Sequence, residues 1–402
     1  LHKEYRRQRQ MCIRDRTYTV RVFKSRAMKN CQLISNPDLT VGKNNKQRWN
    51  QANHRRLGFH NAYKLFRRAF MVRSRNVLVL ESSPNPDIQK HSQLKKLMND
   101  PAFSALCIIR DNQILMEAAA PDFSTSQPHS IQSITKLHIH IIIGQLISQG
   151  ILSLEAKVRD YLPDIGTGYA EASLQSLLDM TVNNNFSEDY SDPHSDCYTE
   201  EIALGWRLPS NNMVKESTLV EFTNGITGYS EQGKVTVAQY KSANTDVLTR
   251  ILSKYSPKSL TKHIEEIADA IGYEGSFHIS LSPDGYPAFS GGGCMSARDL
   301  ARFGILFARD CVDIHGLEFA NSTFMSESLS RNSPSLSHPK EWLRYSNHLM
   351  TDGRVMGHAG YGGQFLLVDT FTNTSFAFLS VLEHFQRFLS NLPFKQSTSN
   401  VH

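Results

Sequence analysis

The chain has 402 residues, 40% of them hydrophobic, and a formal charge of +6, which is enough for a large core arranged in two lobes. The charge is uneven: residues 1–80 hold 20 Lys and Arg against 3 Asp and Glu, leaving 24 against 35 for the remainder, so a basic head precedes an acidic body; a basic arm can bind nucleic acid, but no nucleic-acid partner is expected on so weak a compositional cue. The most apolar run, Leu137 to Ile147, is interrupted by two histidines and is too short for a bilayer, and the six cysteines show no CxxC pair or metal-ligand spacing; neither a membrane span, a metal nor a cofactor is expected, and a cytoplasmic location is.

In chain order, "LHKEYRRQRQMCIRDR" contains no signal-peptide core. "MCIRDR" resembles a translated sequencing-adapter scar, so the first residues are expected not to be native. "PNPD" (Pro84 to Asp87) is a turn-rich linker, which divides a basic segment, 1–87, from a body, 88–402. The body starts with a short helix, "IQKHSQLKKLMND", followed by "ALCIIRDNQILMEAAA", two strands turning at Asp111 and Asn112. "SIQSITKLHIHIIIGQLISQG" (Ser130 to Gly150) predicts a buried helix closed by its glycine. The middle, 153–282, is largely helical. "SGGGCMSARDLARFGILFARD" gives a glycine run and a helix with Ser296 as N-cap and Asp299 at N3, a variant capping box. "GGQFLLVD" and "SFAFLSVL", separated by "TFTNT", predict a second hairpin. Strands at both ends with helices between them imply an α+β body: a sheet lobe, 88–152 and 283–402, and an inserted helical lobe, 153–282, with the cleft between them as the expected site.

The chemistry rests on a choice among four Ser-x-x-Lys matches, Ser92/Lys95, Ser133/Lys136, Ser259/Lys262 and Ser337/Lys340. Residues three apart share a helix face, so a serine hydroxyl and a lysine amine can meet there, and a helix N-terminus favours an oxyanion. Only Lys136 is followed by a run, "LHIHIIIGQL", apolar enough to bury it. Burial disfavours the charged form of a lysine and lets it work as a base. Ser337/Lys340 contains Pro339, and the other two pairs lie on charged, solvent-facing helices.

Two further segments follow in order: "YKSANTDVLTRIL", opening with Tyr240, and "GHAGYGGQFLLVD", with His358-Ala359-Gly360 at the mouth of a strand. The set Ser-x-x-Lys, Tyr-x-Ser, His-x-Gly resembles the penicillin-recognising serine hydrolase superfamily, in its branch of class C β-lactamase-like esterases and 6-aminohexanoate-dimer hydrolases. The likeness runs from about Asn50 to Leu382 and includes "LLDMTVNNNFSEDY", "GGGCMSARDLARFG" and "HAGYGGQF". It implies a β-lactamase/transpeptidase-like fold, an antiparallel sheet flanked by helices. It also implies Ser133 as the acylated nucleophile, and Lys136 and Tyr240 as coupled proton carriers in an order left open. His358-Ala359-Gly360 would be an edge-strand motif facing the substrate, with the N–H groups of Ser133 and Tyr361 as the oxyanion hole.

The chain departs from the strict motifs at Ser242, where the family has Asn, with Asn244 two residues on, and at His358, where β-lactamases have Lys. Both departures weigh against β-lactam hydrolysis more than against acyl transfer. His138 and His140 lie two apart on a helix and so are expected in the core rather than on a metal. Gly291 to Gly293 are expected to permit close backbone packing. The acidic loop with Glu188, Asp189, Asp192 and Asp196 is ordinary solvated surface by composition, but in this branch it borders the pocket, with Tyr190 and Asp189 within reach of substrate. The expected function is hydrolysis of a small ester or amide through an acyl-enzyme. The rivals are a β-lactamase or D-alanyl peptidase-like enzyme, and a non-catalytic penicillin-binding-like sensor.

Overall fold

The computed structural model of the protein describes residues 49–50, 54–190, 192, 194–207, 216–229 and 235–382. The expectation about "MCIRDR", together with Cys12 and Cys31, lies outside the described residues. The first elements are α1 (Arg55–Leu65), β1 (Ala69–Val72), β2 (Glu81–Ser82), α2 (Pro86–Lys90) and α3 (Ser92–Met98). The expected hairpin follows as β3 (Phe103–Arg110) and β4 (Gln113–Ala119), with Asp111 at φ 54° in its turn. Then come β5 (His129–Ser130), a 3-10 turn (Gln132–Lys136) and α4 (Leu137–Ser148).

The helical middle comprises α5 (Val158–Tyr161), α6 (Leu174–Leu178), α7 (Asp196–Ala203), α8 (Leu219–Asn224), α9 (Ser242–Tyr255) and α10 (Leu260–Ile271). The chain closes through β6 (Phe277–Ser280), β7 (Gly293–Met295), α11 (Ala297–Ala308), α12 (Ser322–Ser330), β8 (Arg344–Ser346) and β9 (Leu349–Thr351). The last strands are β10 (Val355–Gly360), β11 (Gln364–Asp369) and β12 (Thr374–Ser380).

The main sheet has the order β2-β4-β3-β12-β11-β10-β9-β8 and is antiparallel except for β2 against β4. The N-terminal hairpin therefore zips directly onto the last strand, with Thr374 opposite Arg110 and Phe378 opposite Leu106. Because side chains alternate along a strand, Ala105, Cys107 and Ile109 face the large core with α11, while Leu106 and Ile108 face Ile88, Leu94 and Leu97 of α2 and α3. A smaller sheet, β1-β6-β7-β5, was not foreseen. It takes in β1, so residues assigned to the basic head contribute to the body from α1 onward: Phe59 and Ala62 are fully buried, and Arg55 is 2% exposed. The boundary at residue 87 thus lies too late, because a stretch rich in arginine still carries one apolar helix face.

Ser130, expected to open the helix, is instead paired in β5 with Cys294. The helix begins only after the 3-10 turn, which packs between β10 and β11 of the main sheet and β7 of the small one. α4 is buried on every side from Leu137 to Gly144, and its anchorage in the core holds the turn in place. His138 stacks on Phe277 and Phe303 with centroids 4.8 Å apart, and His140 packs on Phe324. Both are core residues, as their spacing indicated. Among the described residues no helix is long and apolar enough to cross a membrane.

Candidate active site

Two residues of the turn, Gln132 and Thr135, are fixed from below. Gln132 sits at φ 50°, a left-handed conformation costly for a non-glycine residue, and its side chain donates to Ser130 Oγ at 2.7 Å. The Thr135 hydroxyl donates to the Gln132 carbonyl at 2.6 Å and accepts from the Gly293 amide at 3.1 Å, pinning the turn to β7. Glycines admit these approaches: a Cβ on Gly293 would lie 2.6 Å from Thr135 Oγ1, and one on Gly360 would lie 2.6 Å from the Ile131 carbonyl. β10 therefore ends against the residues that precede Ser133.

In a 3-10 turn, residues i and i+3 eclipse, which brings Lys136 under Ser133. Lys136 is fully buried. Its Nζ donates to Ser242 Oγ at 3.0 Å and to the Ser290 carbonyl, and lies 3.2 Å from Ser133 Oγ. Tyr240 precedes α9, with its ring centroid 5.0 Å from Nζ. The Tyr240 hydroxyl is buried without a hydrogen-bond partner. Burial raises its pKa above the ordinary phenol value, against the pull of Lys136, so at neutral pH it is a phenol with a free O–H.

Glu188 is drawn inward from the acidic loop. It accepts from the Ser242 amide, from Ser242 Oγ at 2.8 Å and from the Tyr190 hydroxyl at 2.8 Å, which caps α9 with a carboxylate where the helix dipole favours one. Asp192 and Asp196 serve the loop itself, accepting from the amides of His194 and Ser187. Asp189 is exposed. Tyr190 stacks on Tyr361 at 4.8 Å, and the Arg55 guanidinium lies over the Tyr361 ring, 4.5 Å from its centroid, with Nη2 donating to the Tyr361 hydroxyl.

Ser133, Ser242, Tyr190, Tyr361, Glu200, Glu201, Trp206, Ser290 and Gly291 line a cleft enclosing about 360 Å³ of empty space. The amides of Ser133 and Tyr361 meet no acceptor among the described residues. Glu201 on the cleft wall is held by Asn50 at 2.7 Å and by Arg207.

Two expectations change. Asn244 faces away from the cleft: Tyr169 donates to its carbonyl oxygen at 3.0 Å and its amide points at Leu177. Asn244 thus replaces nothing lost at Ser242, because two residues along a helix turn the side chain to another face. His358 does not line the cleft. It is 1% exposed, and its Nδ1 donates to the Ala359 carbonyl at 2.7 Å. Burial, reinforced by the Lys136 charge, lowers its pKa to about 3, so the ring is neutral and Nε2 accepts from the Tyr345 hydroxyl at 3.0 Å. Both ring nitrogens are consumed in packing beside Tyr240. His358 borders instead an apolar cavity of about 590 Å³ with Leu336, Trp342 and Phe365, in which Ser133, Lys136 and Tyr240 take no part.

Sequence reasoning missed Tyr345, Glu200, Asp246 and Trp206; nothing in their local sequence marks them. Another Ser-x-x-Lys match does local work: Ser259 caps α10 through the Lys262 amide, and Lys262 pairs with Glu265.

A sequence model described as Beta-lactamase matches residues 104–395. A 6-aminohexanoate-dimer hydrolase of Paenarthrobacter ureafaciens is 26% identical over 275 residues, 67% of this chain and 68% of that one. A structure from Bacillus anthracis assigned as a 6-aminohexanoate-dimer hydrolase matches with a TM-score of 0.74 at 21% identity, covering 86% of this chain and 93% of that one. A D-stereospecific amidohydrolase from Streptomyces sp. matches at 0.54 and 16%, covering 72% and 93%. The structural likenesses speak to the fold, and the sequence match spans most of the chain: the protein belongs to the Beta-lactamase family and is a serine hydrolase.

Proposed function

We propose that the protein hydrolyses small neutral or cationic esters and amides through an acyl-enzyme on Ser133, with Lys136 as the base and Tyr240 as the acid. The observation that carries this reading is the bonding of Lys136. Two directions from Nζ are fixed as donors, to the Ser290 carbonyl and to Ser242 Oγ, which itself donates to Glu188. The third direction points to Ser133 Oγ, so Nζ is placed to take the hydroxyl proton as the oxygen attacks. The developing oxyanion would lie between the free amides of Ser133 and Tyr361, each such donor being worth about 3 kcal/mol. The Tyr240 phenol, with its O–H uncommitted, then protonates the leaving alkoxide or amine and is recharged from Lys136. Water reverses the sequence and frees the acid.

The residues lining the cleft include no Lys or Arg, so a substrate carboxylate finds no partner there. The neutral His358 removes the positive charge that a lysine at that position supplies in β-lactamases. The wall favours a neutral or ammonium-bearing substrate, in keeping with the amino-acid amide in the name of the Paenarthrobacter relative. Short acyl p-nitrophenyl esters, compared with benzylpenicillin, test the reading: kcat/KM is expected to be at least about 100-fold higher for the ester. Equal or faster penicillin turnover would overturn it in favour of a β-lactamase.

A further inference from the structure

Beneath the cleft lies a second pair of carboxyl groups that the proton path above does not use. Glu200 on α7 and Asp246 on α9 are 3% and 1% exposed. Neither Asp246 oxygen, nor Glu200 Oε1, has a donor at hydrogen-bond geometry. The cations nearby are committed elsewhere: Lys136 to serine oxygens, Arg207 to Glu201, and Arg250 to Thr223 and Asn224. The two carboxyl groups instead face each other. Two buried carboxylates in contact cannot both ionise, and a proton held between them supplies the missing donor.

We propose that Glu200 and Asp246 form a one-proton acid–carboxylate pair with the proton on Glu200, and that the charge left on Asp246 positions the proton equilibrium of the Ser133–Lys136–Tyr240 cluster. The assignment of the proton follows from the surroundings. Asp246 lies one helical turn beyond Ser242, toward Lys136 and the Ser290 hydroxyl. Glu200 faces Glu188 as well as Asp246, so burial and two like charges raise its pKa well above the carboxylate range. Burial raises Asp246 only to about 6, because Glu200, Ser290 and Lys136 hold it down. The remaining titratable neighbours are the buried Tyr169 phenol, which both carboxyl groups push upward, and Glu201 with its Arg207. The pair thus keeps one negative charge beneath Lys136 at neutral pH, complementing that of Glu188. Both are positioning residues, acting through Lys136.

The consequence for catalysis rests on the proposed role of Ser133; the shared proton does not. The test therefore has two arms on the full chain. In the first, infrared spectra near neutral pH are expected to show a protonated-carboxyl stretch that Glu200→Gln abolishes. In the second, pH profiles of kcat/KM for a p-nitrophenyl ester are compared. Glu200→Gln keeps the charge on Asp246, and its acid limb is expected where the parent's lies, whatever the plateau. Asp246→Asn removes a negative charge and favours the deprotonated state of its neighbours, moving the limb down by roughly one pH unit and weakening the base about tenfold. Absence of the band in the parent, its survival in Glu200→Gln, or an unmoved limb in Asp246→Asn would each overturn the proposal. If Asp246→Asn does not fold, the infrared arm alone decides. Failure of Ser133 as nucleophile leaves the infrared result untouched, so the two readings fail separately.

Discussion

Two clusters of buried charge lie in this molecule, and they are finished differently. At the start of α11, Asp299 is 1% exposed and Arg302 is 3% exposed. Asp299 accepts from the amides of Glu274 and Gly275, from Ser296 Oγ and from Arg302, while Arg302 also reaches the Leu78 carbonyl and Glu274. Both charges are fully answered. Around Lys136 they are not: the Tyr240 hydroxyl, the Ser290 hydroxyl and the oxygens of Asp246 lack partners. An unpaired buried polar group costs about 1–3 kcal/mol, and three residues gathered around one lysine carry that deficit, as the proposed catalytic role of the cluster requires.

That contrast breaks if mutations on the two sides behave alike. The largest effect is expected from Tyr240→Phe, which should lower kcat by roughly 10²–10⁴-fold and leave the thermal midpoint unchanged or higher, because the deleted hydroxyl bonds to nothing. Asp299→Ala should do the reverse. It strands Arg302 at a cost of about 3–5 kcal/mol, seen in denaturant unfolding, while kcat/KM per folded molecule stays near the parent value.

pH separates stability from activity as well. Burial holds His138 and His140 at about 4, and His129 and His358 at about 3. In the unfolded chain these residues take up protons below about 6.5, in the fold only below about 4. The unfolded state binds more protons in that window, so stability falls as pH drops from about 6.5 to 4, by roughly 1–3 kcal/mol per histidine. Thermal melts across this range should show a falling midpoint, whereas stability rising on acidification would contradict the neutral assignments. The smallest effect is expected of Ser259→Ala, which removes the α10 cap for about 1 kcal/mol and leaves ester turnover unchanged, although it destroys a Ser-x-x-Lys match.

The sequence was most informative where the physics is local. The apolar run after Lys136 distinguished one Ser-x-x-Lys from three others, the Asp111 and "TFTNT" turns located both hairpins, and the two-residue spacing of His138 and His140 ruled out a shared helix face. Contacts closed by tertiary packing were not legible. Glu188 meets Ser242 across 54 residues, and nothing in "FSEDYSD" distinguishes that carboxylate from its exposed neighbours. The orientation of His358 was lost for the same reason. β10 is buried from Met356 to Gly360, so strand alternation did not reveal which neighbours would take its ring nitrogens. The small sheet escaped notice because its strands are only two to four residues long, too short for a period of two to register.

The central claim, that Ser133 is the nucleophile of this unfinished cluster, is tested most directly by intact-mass analysis after reaction with a fluorophosphonate. The parent chain is expected to gain one adduct, mapped by peptide fragmentation to Ser133, and Ser133→Ala to gain none. Equal labelling of both chains, or an adduct on another serine, would contradict it.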